Sequence, residues 1–523
     1  MALARTHAIA LVGVQGHPVE IEVDIEDGLV ALLLVGLPDT ALREARDRIR
    51  SAIVNSGERW LHRRITVGLS PASLPKRGSG FDLGIAIAIL AAADVVPAER
   101  LAGMVFVGEL GLDGRVRAMP GVLPSAAAAA AAGFSAIAVP PENAPEAALV
   151  PELRVLSAPT LGALLAWLRD QAPSPDGPAA RLVDSEADPL AAVAADASRR
   201  QAGRGQDLAD VIGQPVARRA AEICAAGGHH LLLQGPPGVG KTMLAERLPT
   251  ILPRLELPAA LEVSSIHSVA GRLPQDQPLM IEPPFCAPHH TATKAAIVGG
   301  GSGMIRPGAA SLAHHGCLFL DEAPEFDRDV LDALRQPLES GQVSIARSGL
   351  TATFPARFTL ILAANPCPCA RSSTTGSACT CTPLVRRRYL ARLSGPLLDR
   401  VDVKVELLPV GRAELLSDRQ LTEPSAVVAA RVAEARQRAA RRLSGTRWRL
   451  NAQIPGAELR RTFRPVPGAL SPVERAMDLG EISARGVDRI VRMSWTLADL
   501  AGVDVPGMAE VGYALGLWLG AGQ

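Results

Sequence analysis

Eight consecutive residues, Gly235-Pro236-Pro237-Gly238-Val239-Gly240-Lys241-Thr242, satisfy the phosphate-binding loop pattern G-x-x-x-x-G-K-[ST] at every fixed position. Glycines let such a loop curl until several backbone N–H groups point at one phosphate, and a helix opening there adds its positive dipole end. Lys241 would hold the outer phosphates and the Thr242 hydroxyl would ligate Mg²⁺, with Met243 as a further nucleotide contact. The loop needs a strand before it and a helix after it: Leu231-Leu232-Leu233 reads as a short buried strand, and Met243 to Leu248 has helical character. A second apolar strand, Cys317-Leu318-Phe319-Leu320, runs into Asp321-Glu322. There Asp321 would meet Mg²⁺ through its water shell, and Glu322 would orient and polarise an attacking water. Asp-Glu can also be an ordinary helix cap, but behind a phosphate loop in the same domain the chemical reading is favoured. A third apolar strand, Phe358 to Ala364, ends at Asn365, whose amide can hydrogen-bond a γ-phosphate or the water; Asn before Pro366 is also a good turn former. Three strand ends then converge on one phosphate site.

A second group of reactive side chains follows. Cys367-x-Cys369 and Cys379-x-Cys381 supply four thiolates, soft ligands that suit tetrahedral Zn²⁺. The C-x-C spacing hinders both thiols of one pair from binding a single ion, so plain reduced cysteines stand as the alternative. His289 and His290 read as partners in structural hydrogen bonds.

These residues need scaffolding, and 523 residues are too many for one core, so roughly three domains are expected. Lys plus Arg number 54 against 53 for Asp plus Glu, a balance that neither suggests nor excludes nucleic acid; any basic surface must be local. The longest apolar stretch, Leu83 to Ala93, is far short of the ~18–20 residues that span a bilayer. The N-terminus lacks a signal-peptide layout. A soluble, cytoplasmic protein without membrane partners is expected. Seven cysteines, an odd number, fit a reducing compartment better than a disulfide framework.

Residues 1–168 read as an α/β domain, with strands at Ala8–Val14, Val19–Asp24, Ala31–Val35, Arg64–Leu69, Met104–Glu109 and Ala136–Val139. Helices are expected at Thr40–Ser56, at Asp82–Ala93 and across Ala126–Ala132. Residues 169–205, rich in Pro, Ala, Asp and Arg, read as a flexible linker. Residues 206–411 form the nucleotide-binding α/β unit, and 412–523 turn helical.

Leu37-Pro38-Asp39, the Ile65–Ala72 stretch, Lys76-Arg77-Gly78-Ser79-Gly80-Phe81-Asp82-Leu83 and Gly108-Glu109-Leu110 resemble the N-terminal domain of the YifB/ComM family. That resemblance implies a fold similar to the Lon protease catalytic domain, which uses a Ser–Lys dyad. Phe81-Asp82 stand where Lon-like enzymes carry Ser-Ala, and Gly121-Val122-Leu123 offer no Lys, so a binding or assembly role is expected instead of peptidase chemistry. Asp207–Gln214 resembles the stretch that packs near adenine in AAA+ ATPases. Phe285–Thr291, Val298–Ser302, the Gln336–Gly349 stretch with Thr351–Phe354, and Ala363-Ala364-Asn365-Pro366-Cys367-Pro368-Cys369 resemble the magnesium-chelatase-like AAA+ proteins of the same group.

The resemblance implies an AAA+ core with β-hairpin inserts and a C-terminal helical lid, ATP and Mg²⁺ as cofactors, and a hexameric ring. It places Asn365 as sensor-1, and in Ser394–Asp402 it places Arg400 as an arginine finger acting across a subunit boundary. Arg485 matches the sensor-2 position. Arg347, at the tip of a hairpin of the kind that lines the pore in related motors, is a candidate DNA-backbone contact, with a free surface Arg as the alternative. The clusters Arg386-Arg387-Arg388, Arg436/Arg438/Arg441/Arg442 and Arg460/Arg461/Arg464 supply local charge, more in the manner of solvated helix faces. ComM-like proteins resemble hexameric helicases that drive branch migration of transforming DNA. The competing expectations are a chelatase-type motor that remodels a metal-insertion partner and an ATP-dependent protease.

Overall fold

The computed structural model describes residues 2–36, 40–172, 178–183, 205–301, 305–347, 350–369, 379–411 and 422–520. Leu37-Pro38-Asp39, most of the 169–205 stretch, Ser302 and the hairpin-tip residues Ser348 and Gly349 lie outside them.

Two sheets organise the chain. The first has eight strands in the spatial order 181–183, 154–157, 136–139, 104–106, 2–12, 15–26, 64–70, 31–35. Its centre is one long antiparallel hairpin, Ala2–Val12 against Gln15–Glu26. Those strands run well beyond the Ala8–Val14 and Val19–Asp24 stretches expected from apolar content. The ladder continues through alternating charged positions, as in the Arg5 to Glu22 ion pair at 2.9 Å, while Val19, Ile21 and Val23 face the core. The turn at Gly13 has φ +67°, a left-handed conformation that favours glycine. Helix Asp82–Ala92 is buried along its whole length, as its near-continuous apolar sequence requires. Arg181–Val183, within the stretch read as linker, instead adds an antiparallel edge strand beside Arg154–Ser157.

The second sheet is wholly parallel, in the order 285–286, 317–320, 359–364, 231–234, 403–406. Residues Thr359–Ala364 and Cys317–Leu320 are buried throughout, the mark of a sheet covered on both faces. One covering layer comes from helices Pro215–Gly227, Ser425–Arg442, Ala484–Ala501 and Met508–Leu519, whose Val428, Val432, Ile490 and Val511 share a core with Leu231, Leu233 and Val403. The C-terminal helices therefore pack directly on the sheet.

The two sheets' units touch at several places among the described residues, one of them where Leu123 and Leu149 pack with Ala260, Leu279 and Ile281. The Ser268 hydroxyl, near the end of helix Leu257–Val269, donates to buried Glu146 at 2.6 Å and accepts from the Gly121 N–H at 3.1 Å. The hairpin Gln342–Arg347/Leu350–Pro355 buries Ala352 and Phe354 beside Leu11, Val12 and Val14 of the first sheet's turn. Arg347 is exposed at the free end of that hairpin.

Candidate functional site

The strand Leu231–Gln234 lies between its neighbours Thr359–Ala364 and Val403–Glu406, and the Gly235–Thr242 loop leaves its carboxyl end, where parallel α/β sheets place their ligands. Gly235 backs onto the chain at Leu407 so closely that a Cβ would lie 2.5 Å from that carbonyl oxygen. Gly238 and Gly240 have φ of +83° and +95°, so the loop turns through conformations that a side chain would strain. Helix Lys241–Arg247 begins at the motif's Lys, two residues before Met243.

Three strand ends meet there. Lys241 Nζ donates to Gly235 O at 2.7 Å, Pro236 O at 2.8 Å and Asn365 Oδ1 at 3.0 Å. The Thr242 hydroxyl donates to Asp321 Oδ2 at 2.7 Å. Asp321 Oδ1 in turn accepts the Glu322 backbone N–H at 2.9 Å. Burial pushes the Lys241 ammonium down from its ordinary pKa, opposed by the Asp321 and Glu322 carboxylates. Glu322 itself is exposed and sits at φ +49°, ψ +43°, a left-handed conformation that a non-glycine residue adopts at a cost of order 1–3 kcal/mol. Asp321 is half-buried and accepts from Thr242, whereas Glu322 is exposed. Glu322 Oε2 lies 3.4 Å from His290 Nδ1. Sequence reading assigned His290 only to structural bonding; its place in a quoted stretch, Pro288-His289-His290, was the one signal available.

Arg400 and Arg485 are not in the hydrogen-bond network of the loop. Arg400 is buried, and its guanidinium bonds Glu339 and Pro396 O, with Nε unpartnered among the described residues. Its chain neighbours Asp399 and Asp402 are not the carboxylates it takes. Asp402 is held instead by Arg489 Nη1 at 2.7 Å, the same nitrogen that donates to Arg400 O at 3.1 Å. Burial alone would raise Asp402; Arg489 and His229 hold it far below the usual carboxylate range. Arg485 is exposed in the first turn of helix Ala484–Ala501, four residues before Arg489. Burial lowers Arg400, and Arg335, Arg489 and Arg485 add to that depression. Nothing in the spacing of Glu339 or Arg489 pointed to these roles.

Several basic residues are engaged within the fold. Arg436 is half-buried and donates to Ala225 O from two nitrogens, at 2.9 and 2.6 Å. Arg442 pairs with Asp499, and Arg460 with Asp488. Arg386, Arg387 and Arg388 are exposed on helix Pro383–Leu390. The four cysteines converge: Cys367 Sγ lies 3.2 Å from Cys369 Sγ and 3.3 Å from Cys379 Sγ, and Cys381 completes the group.

Strand order, loop and converging acid and amide residues define a protein of the magnesium-chelatase-like AAA+ class. Residues 207–415 match the family model "Magnesium chelatase, subunit ChlI", 21–143 match "Subunit ChlI of Mg-chelatase", and 422–517 match the ChlI C-terminal model. The chain is 50% identical over 515 residues to an uncharacterized protein of Mycobacterium tuberculosis, covering 98% of both chains. It is 43% identical over 501 residues to the uncharacterized protein YifB of Salmonella typhimurium, covering 96% of this chain and 94% of that one. With competence protein ComM of Haemophilus influenzae the identity is 41% over 521 residues, covering 98% and 97%. The chain belongs to the YifB/ComM family. Among the described residues no helix is long and apolar enough to cross a membrane.

Proposed function

We propose that the protein is an Mg²⁺-dependent ATP hydrolase that works as a hexameric ring and drives branch migration of DNA. The observation that carries the hydrolase reading is the meeting of Lys241 with Asn365 and of Thr242 with Asp321 at three adjacent strand ends. The donor set suits the nucleotide: loop N–H groups and an ammonium for phosphate oxygens, and a hydroxyl and a carboxylate for a hard cation. Thr242, and Asp321 through the ion's water shell, would hold Mg²⁺, which would neutralise charge on the phosphates. On binding, Lys241 exchanges its loop carbonyls for phosphate oxygens. Glu322, on its strained turn, orients the attacking water, and Asn365 holds that water or the γ-phosphate.

The Nε of Arg400, unpartnered among the described residues, and the exposure of Arg485 support an interfacial role. In that reading Arg400 leaves Glu339 to meet an anion brought by a neighbouring subunit, and the exposed Arg485 reaches the same phosphate. The exposed Arg347, on a hairpin braced by the first sheet, suits a phosphate-backbone contact with DNA. The ComM relative's name places it in competence, which favours DNA over other substrates. The N-terminal unit acts as a binding and assembly module: Phe81 and Asp82 are buried, and Arg48 holds the Asp82 carboxylate at 2.9 Å. A chelatase-type motor remodelling a protein partner is the second reading, favoured by the family models. ATP turnover measured with branched DNA, single-stranded DNA, a chelatase partner and an unfolded protein tests the proposal. Stimulation by either DNA and by neither protein is expected; stimulation by a protein alone overturns the DNA reading.

A further inference from the structure

The four cysteines are not used by the nucleotide chemistry, yet they are brought together from two short segments. Cys367 and Cys369 follow the central strand Thr359–Ala364, and Cys379 and Cys381 precede helix Pro383–Leu390. The Sγ atoms of Cys367, Cys369 and Cys379 lie 3.2, 3.3 and 3.5 Å apart, and all four sulfurs fall within 4.8 Å of one another. Tetrahedral zinc, with Zn–S bonds of about 2.3 Å, sets sulfurs about 3.8 Å apart, so a small outward shift of each thiol opens a site for one ion. The hindrance expected of a C-x-C pair is absent, because the turn at Pro366–Cys369 brings both of its thiols to the same point. Cys367 is buried and the other three half-buried, which suits an ion that closes a structure more than one that meets substrate.

We propose that Cys367, Cys369, Cys379 and Cys381 bind one structural Zn²⁺. The ion ties the exit of the strand that carries Asn365, two residues before Cys367, to the start of helix Pro383–Leu390. A second group, Glu262 with His314 and His315, is a poorer metal site. His314 Nδ1 accepts the Arg357 N–H at 2.9 Å, so in the neutral ring the proton sits on Nε2, which points at Glu262 3.0 Å away and has no lone pair to give.

The full chain, purified without chelator, is assayed for metal by elemental analysis, beside the Lys241→Ala chain and the double variant Cys367→Ser, Cys379→Ser. About one zinc per chain is expected in the wild type and in Lys241→Ala, and less than about 0.2 in the double variant. Because Lys241→Ala removes nucleotide chemistry and leaves the thiols, the result is independent of the ATPase reading. Where the double variant fails to fold, Co²⁺ exchanged into the wild type gives the answer: an intense thiolate-to-cobalt absorption with tetrahedral d–d bands supports four sulfur ligands. Zinc-free protein in which these four thiols are all free to titrate, a disulfide among them found by mass spectrometry, zinc kept by the double variant, or a cobalt spectrum without thiolate bands each overturns the proposal.

Discussion

Lys241 Nζ and Asn365 Oδ1, 124 positions apart in the chain, lie 3.0 Å from each other. The contact joins the loop that would bind phosphate to the strand end that would sense it. The Lys241 ammonium is otherwise satisfied by two carbonyls of its own loop, so a bound phosphate displaces a ready-made set of hydrogen bonds and does not meet a bare charge.

Lys241→Ala is expected to abolish nucleotide binding, whereas Glu322→Gln should keep ATP affinity and lose on the order of 10²–10⁴-fold in turnover, the range of a general base. ATP affinity measured beside steady-state hydrolysis separates the two. Wild-type turnover in Glu322→Gln would remove that carboxylate from the reaction.

For Asn365→Ala the expectation is a fall in turnover of about 10²-fold, the cost of one hydrogen-bonding group aimed at developing charge, with ATP affinity changed much less. Loss of affinity matching that of Lys241→Ala would instead mean that the amide serves only to hold the lysine.

Arg400→Ala should still bind ATP and assemble, yet lose on the order of 10³-fold or more in hydrolysis. Mixing it with Lys241→Ala subunits, which carry an intact arginine, should restore activity at shared interfaces. No restoration despite confirmed subunit exchange would rule out action across the boundary. Glu339→Gln frees the same guanidinium from its ion pair and should leave hydrolysis intact.

The contribution of His230 to stability should fall as the pH drops from about 6.5 to about 4. Burial, with Arg489 and His229 adding to it and Asp402 opposing, lowers the His230 imidazole to about 4, and its Nδ1 accepts the Leu360 N–H at 3.0 Å. The unfolded chain, with His near its ordinary 6.5, binds the extra proton in that window, so the contribution is present above 6.5 and lost toward 4. The full effect is about 3 kcal/mol. Urea midpoints for wild type and His230→Gln between pH 7 and 4.5 test it; equal slopes for both would contradict the assignment.

The apolar runs before Gly235, Asp321 and Asn365 were legible as buried strands because a covered parallel sheet demands continuous apolar sequence, and the loop pattern states its own chemistry. Strand lengths in the first sheet were not. There the ladder hydrogen bonds carry Ala2–Val12 through charged positions that periodicity reads as a break. The edge strand Arg181–Val183 escaped for a related reason: three residues hold no period, and only the waiting edge at Arg154–Ser157 selects them.

The local chemistry of this protein, its phosphate loop, strand-end acids and paired thiols, was set by the sequence alone, since each depends on residues a few positions apart. The partners of long side chains were decided only in three dimensions. Arg400 takes Glu339 in place of the adjacent Asp399 or Asp402, Arg489 takes Asp402, and His290 reaches Glu322. A guanidinium or imidazole can reach any carboxylate that the packing of helix on sheet brings within a few ångströms, and sequence spacing carries no record of that packing. The meeting of four thiols from two C-x-C pairs was likewise settled by a turn of the backbone, because spacing bounds what cysteines can reach and tertiary structure chooses where they point.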